Sequence, residues 1–147
     1  MSRPLRIEFD EAVYHVMNRG TARQVTFVDE QDDQAFLSTL GEAQRLWAIE
    51  VFSYCLMRNH YHICLTTPKG NLSRVMRHVD GLYTQRFNRR HERDGSLFRG
   101  RYQAILVDRD PYLAQVVRYI HLNPVSAGVV EQPQQYRWSS HVHYLKP

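Results

Sequence analysis

The chain has 147 residues, 43% of them apolar, which suits one domain with its own core and excludes a disordered chain. No run approaches the ~18 apolar residues of a membrane-spanning helix, which excludes a helical membrane protein. The net charge of +4 is unevenly spread: residues 69–101 hold nine basic residues against three acids, a stretch suited to nucleic-acid phosphates.

The opening MSRPLRIEFD has no apolar core, so a secretory signal is not expected and a cytoplasmic location is. AVYHVMNRG (12–20) alternates as a strand does and stops at Gly20. Residues 29–47 begin with acids, which favour a helix N-terminus. Their apolar positions Phe36, Leu37, Leu40, Ala43 and Trp47 recur at helical spacing. IEVFSYCLM (49–57) is rich in β-branched and aromatic residues and predicts a strand. Arg58 and Asn59 can turn tightly into a second strand over 60–67. Cys55 and Cys64 in this hairpin lack disulfide or zinc spacing and are expected as buried, reduced thiols. Residues 71–91 form the basic helix, capped by Asn71 or Ser73. LFRGRYQAILVD (97–108) reads as a strand with an irregularity at Gly100. A last helix over 110–123 is expected to open with Asp110 at the N-cap and Pro111 at the first helical position, and to stop at Asn123-Pro124. Leu113, Val116, Val117 and Ile120 give it one apolar stripe. Gly128 falls in a turn, and 129–147 reads as an irregular tail anchored by Trp138.

The order β-α-β-β-α-β, followed by one more helix, predicts an α+β fold. It is a ferredoxin-like antiparallel sheet with two helices on one face, in a single domain over 1–147. Within HYHICLTT, Tyr61, Ile63 and Leu65 fall on one face and His60, His62, Cys64 and Thr66 on the other. The apolar face should meet the two helices. The histidines should then look toward the extra C-terminal helix.

Two histidines at this spacing suit metal ligands or an active site, although hydrogen-bonded structural histidines fit as well. On the last helix, Tyr119 and Asn123 are four apart and share a face. Tyr119 can act as a covalent nucleophile or simply pack, and Asn123 can ligate through its amide oxygen or cap the helix. A ligand set of two imidazoles and an amide suits Mg²⁺ or Mn²⁺ when a phosphate supplies further ligands. Arg74, Arg77, Arg86, Arg89, Arg90, Arg99 and Arg101 are the candidate phosphate contacts, because the planar guanidinium matches phosphate oxygens. Arg19 and Arg58 flank strands near the histidines. His15 and His121 could approach the site, and neither is assigned a role. Tyr102 and Tyr112 are decoys for the nucleophile.

HYH after an apolar strand resembles the His-hydrophobe-His signature of HUH single-tyrosine endonucleases and transposases. RYIHLNPVSAG (118–128) resembles the tyrosine helix of the REP-associated tyrosine transposase branch of the IS200-like family. RPLRIEF (3–9), YHVMNRG (14–20), YCLMRNHYH (54–62), FNRRH (87–91), SLFRGRYQAILVD (96–108) and YRWSSH (136–141) resemble that branch too, in the expected order. The resemblance implies His60, His62 and Asn123 as ligands of Mg²⁺ or Mn²⁺ and Tyr119 as the nucleophile. It implies cleavage and rejoining of single-stranded DNA near hairpins of palindromic repeats, through a 5′-phosphotyrosine intermediate, by a monomer or homodimer. It also implies a bacterial protein associated with the nucleoid. Two other readings use the same residues: a domesticated module that binds DNA or RNA hairpins without cutting, and a metal-dependent hydrolase with water as nucleophile.

Overall fold

The computed structural model describes residues 8–145. The chain runs β1 (Ala12–Arg19), α1 (Glu30–Trp47), β2 (Glu50–Met57), β3 (His60–Thr67), α2 (Leu72–Arg90), β4 (Gln103–Val107), α3 (Arg109–Ser126) and α4 (His141–Tyr144). Single 3₁₀ turns lie at Thr21–Arg23 and Pro133–Gln135. The expected α+β fold is present: the strands form one antiparallel sheet in the order β2-β3-β1-β4. Residues 3–7 of the RPLRIEF motif lie outside the described residues.

The alternation along β3 separates two cores. Tyr61, Ile63 and Leu65 join Tyr14 and Val16 of β1 under α1 and α2, against Phe36, Leu40, Val75, Val79 and Tyr83. The opposite face carries a smaller cluster of Val13, Cys55, Cys64 and Val107, covered by Ile120, Leu113 and Val116 of α3. Cys55 and Cys64 are free and buried, as expected. A Phe27–Phe36–Tyr83 aromatic group, with ring centroids 5.2–5.4 Å apart, fills the helix side. Fully burying such a ring is worth about 1.5–3 kcal/mol, so this side carries the larger share of stability.

Charges on the inner edges of α1 and α2 meet each other. Arg86 donates to Thr39 Oγ1 at 2.7 Å and to Glu42 at 2.9 Å. Arg90 donates to Asp29 at 2.6 Å and to the buried Asp32 at 2.9 Å, and His91 lies 2.9 Å from the same Asp32 carboxylate. Asp29 also caps α1 by accepting from the Asp32 N–H.

Three boundaries differ from expectation. The strand expected over 97–108 is regular only from Gln103 to Val107. Upstream, Leu97 and Phe98 turn into the core, and Gly100 takes a φ of 91°, a left-handed conformation that breaks strand geometry. Helix α3 starts at Arg109 with Asp108 at its N-cap, so Asp110 and Pro111 sit inside the first turn. Proline is tolerated there because the first N–H groups have no helical acceptor. Pro124 does not stop the helix, which continues to Ser126. The missing proline N–H costs one bond, but Ala127 and Gly128 donate to the Asn123 and Val125 carbonyls and close the next turn.

The C-terminal segment is more ordered than its composition suggests. Leu56 N–H donates to the Trp138 carbonyl at 2.8 Å, and Tyr54 N–H donates to Ser140 Oγ at 2.9 Å. Tyr136 O–H donates to the Leu56 carbonyl. The segment therefore satisfies the otherwise open outer edge of β2.

Asp33 gives a test of α1. Burial, with the neighbouring Asp32, Asp29 and Glu30 carboxylates, raises it to about 7. A carboxylate whose folded pKa exceeds its unfolded ~3.9 stabilises at low pH and loses that contribution as pH rises through the folded value. Asp33→Asn should raise the urea midpoint at pH 8 and leave it unchanged below pH 4.

Candidate active site

The register of the two central strands assembles the site. Arg19 lies opposite His60 and Met17 opposite His62, so His15, Met17 and Arg19 share the face that carries both histidines. The His60 and His62 rings lie edge to face with centroids 5.2 Å apart. Helix α3 crosses this face and brings Tyr119 over it, with ring centroids 5.7 Å from His15 and 6.0 Å from His62. Asn123, one turn further along α3, makes a side-chain hydrogen bond with His60. One chain thus brings His60, His62, Tyr119 and Asn123 together. Tyr119 is 56% exposed, so its hydroxyl is open to a macromolecular substrate. The decoys differ: Tyr102 is buried, while Tyr112 is exposed nearly two turns before Tyr119.

Electrostatics keep the imidazoles neutral. Burial, then the neighbouring His15 and His60 rings, push His62 down to about 3. Burial lowers His15 and His60 as well. A neutral imidazole is the form that ligates a metal. Among the described residues no three His, Cys, Asp or Glu side chains group as a metal site. The set here is of another kind, two neutral imidazoles and one amide, and its donor chemistry fits a divalent cation that shares phosphate oxygens.

Beside the histidines lies a cleft of about 460 Å³, lined by Met17, Asn18, Arg19, His60, His62, Arg99, Arg101 and Gln103. Two of the seven candidate arginines, Arg99 and Arg101, therefore reach the site, and Arg19 joins them. Arg74, Arg77, Arg86, Arg89 and Arg90 do not. They lie on α2, behind the sheet, because α2 packs on the Tyr61 face. Arg86 and Arg90 are further held in their pairs with α1. Arg58 is exposed at the β2–β3 turn, and its carbonyl accepts from Thr26 and Phe27. His121 is buried against Ser140, with its Nε2 2.7 Å from Ser140 Oγ, away from the cleft.

The model of the family described as "Transposase IS200 like" matches residues 8–123. The chain belongs to the IS200-like transposase family. Among solved structures, the fold is similar to that of a REP-associated tyrosine transposase bound to a REP hairpin, at a TM-score of 0.82 and 18% identity, over 100% of this chain and 89% of that one. It is also similar to a candidate transposase from Deinococcus radiodurans R1, at a TM-score of 0.55 and 20% identity, over 81% of this chain and 95% of that one. No curated protein matches the chain in a direct sequence comparison.

In this IS200-like transposase a polar strut behind the site escapes a reading of the sequence. Tyr61, the middle residue of the histidine motif, donates its hydroxyl to Asp80 of α2 at 2.6 Å. Asn18 donates to the other Asp80 oxygen at 3.0 Å and to the Gly100 carbonyl at 3.2 Å. Arg99 N–H donates to the Arg19 carbonyl at 2.8 Å. One carboxylate thus links the histidine strand, the end of β1 and the loop that carries Arg99 and Arg101. Burial raises Asp80 to about 6 despite the bonds from Tyr61 and Asn18. The only sequence signal was an acid inside a basic helix.

Asp80→Ala leaves the Tyr61 hydroxyl without its acceptor and removes one of the two bonds that the Asn18 amide nitrogen donates. It should cost about 1–3 kcal/mol in urea unfolding, more than the ~1 kcal/mol expected for Tyr61→Phe, which removes a single bond.

Proposed function

We propose that this IS200-like transposase cleaves and rejoins single-stranded DNA beside hairpins, with Tyr119 as nucleophile. The observation that carries the reading is the placement of an exposed tyrosine and an amide against two neutral histidines that line an arginine-rich cleft. Such a set has no evident purpose in a protein that only binds. The hairpin-bound neighbour of similar fold supports hairpin DNA as the partner.

Arg19, Arg99 and Arg101 would seat the backbone phosphates in the cleft through paired N–H donors. Tyr119 would attack the scissile phosphorus through its hydroxyl oxygen. The bond to the 3′-oxygen breaks, and the 5′ side remains on the protein as a phosphotyrosine. The exposed phenol can release its proton to solvent, and the departing oxygen leaves as a 3′-OH. The phosphotyrosine ester conserves the bond, so a second 3′-OH can reverse the step and join strands without a nucleotide cofactor. His60, His62 and Asn123 would hold Mg²⁺ or Mn²⁺, which when bound polarises the phosphodiester. Exposed Arg74, Arg77 and Arg89 are left as contacts to outlying DNA backbone, whereas Arg86 and Arg90 serve the fold.

The deciding experiment incubates the protein with Mn²⁺ or Mg²⁺ and single-stranded DNA, labelled at its 3′ end, carrying the hairpins of its own genomic flanks. On a denaturing gel, wild type should carry the label and Tyr119→Phe should not, while hairpin binding by the variant persists. EDTA should abolish cleavage. Cleavage that survives in Tyr119→Phe would mean a water nucleophile, and tight binding with no cleavage would mean a domesticated binder.

The arginine assignment has its own check. Arg99→Ala and Arg101→Ala should each weaken DNA binding and lower the slope of log affinity against log salt by about 0.7–0.9, one phosphate contact's worth. Arg86→Ala should leave that slope unchanged and lower the urea midpoint instead.

A further inference from the structure

Each histidine of the pair has its Nδ1 engaged by a neighbour, which leaves Nε2 as the nitrogen that can face a ligand, in His60 beside the side chain of its fellow ligand candidate Asn123. For His60 the neighbour is Asn59 Oδ1, at 2.8 Å. The Asn59 amide nitrogen faces the Arg23 carbonyl, which fixes the oxygen toward the ring. That oxygen can only accept, so the proton is on His60 Nδ1. For His62 the neighbour is another imidazole: His15 Nε2 lies 2.9 Å from His62 Nδ1.

A bond between two neutral imidazoles can be made in two ways. If His15 donates, His62 must carry its own proton on Nε2 and cannot ligate through that atom. If His62 donates, its Nε2 keeps the lone pair. Only the second matches the arrangement at His60. The pairing is built into the sheet: His15 stands diagonally across from His62 in the β1–β3 register, both rings are buried, and their centroids are 5.1 Å apart. Tyr119 closes the other side of the His15 ring at 5.7 Å.

We infer that His15 is a positioning residue whose Nε2 accepts the His62 Nδ1–H and so turns the free Nε2 of His62 toward a divalent cation. The inference rests on the metal reading above, and adds the residue that sets the tautomer of one ligand. His15 itself touches neither DNA nor metal in this assignment.

The test has two readouts. In metal-free wild type, ¹⁵N-edited imidazole NMR should place the His62 proton on Nδ1; a proton on Nε2 would overturn the inference. Mn²⁺ titrations by calorimetry then compare wild type with His15→Leu and His15→Gln. His15→Leu removes the acceptor at similar size and should weaken Mn²⁺ binding by about 10- to 100-fold. The amide oxygen of His15→Gln can accept in place of Nε2 and should restore most of the affinity. Equal affinity in wild type and His15→Leu would refute the role of His15 while leaving the metal site standing. A wild type that binds no Mn²⁺ would overturn the metal reading, and with it the purpose given to His15, whatever the tautomer. If His15→Leu fails to fold, the wild-type NMR result and the His15→Gln titration decide the matter.

Discussion

Strand β3 must bury two unlike faces at once, and the rest of the molecule is arranged around that demand. Side chains alternate along a strand, so Tyr61, Ile63 and Leu65 require an apolar cover on one side. Helices α1 and α2 supply it. The same alternation sends His60 and His62 to the other side, where a polar pair needs partners rather than grease. Asn59, His15 and Asn123 provide them. A shift of one residue in the β1–β3 pairing would carry His15 to the wrong face and bring the apolar set out.

The two faces communicate through a polar link. The Tyr61 side chain belongs to the helix core, yet its hydroxyl ends on Asp80, which also holds Asn18. Asn18 lines the cleft and grips the Gly100 carbonyl. The floor of the cleft is therefore fixed from behind by one partly buried carboxylate. Unmade bonds in such a network are expensive, which makes it a rigid support for the arginine loop.

Charge has a divided role in this protein. The basic window of the sequence is not one surface. Its helical part lies behind the sheet, where Arg86 and Arg90 neutralise the acids of α1, including the buried Asp32. Its loop part turns to the histidine face, where Arg99 and Arg101 meet Arg19. A guanidinium serves either purpose equally well, so residue type alone does not distinguish an α1 carboxylate from a DNA phosphate as its partner.

The element order, the hairpin at 58–59 and the two faces of β3 were legible in the sequence because they are local: they follow from period-two and period-3.6 repetition and from turn residues. The catalytic candidates were legible for the same reason, since i, i+2 on a strand and i, i+4 on a helix fix a common face. The ends of α3 were misread because proline costs no bond in a helix's first turn and only one near its last, where neighbouring carbonyls made up the loss. The ordered C-terminal segment was missed because its partners are the edge groups of β2, some 80 residues earlier in the chain. Distance along the chain likewise hid the His15–His62 pair, the Asp80 strut and the division of the arginines. Thus local repetition in the sequence determined which elements form and which face each candidate residue occupies. Tertiary structure alone decided which of those faces meet, because contacts between distant residues depend on strand register and helix packing, and no short stretch of sequence encodes either.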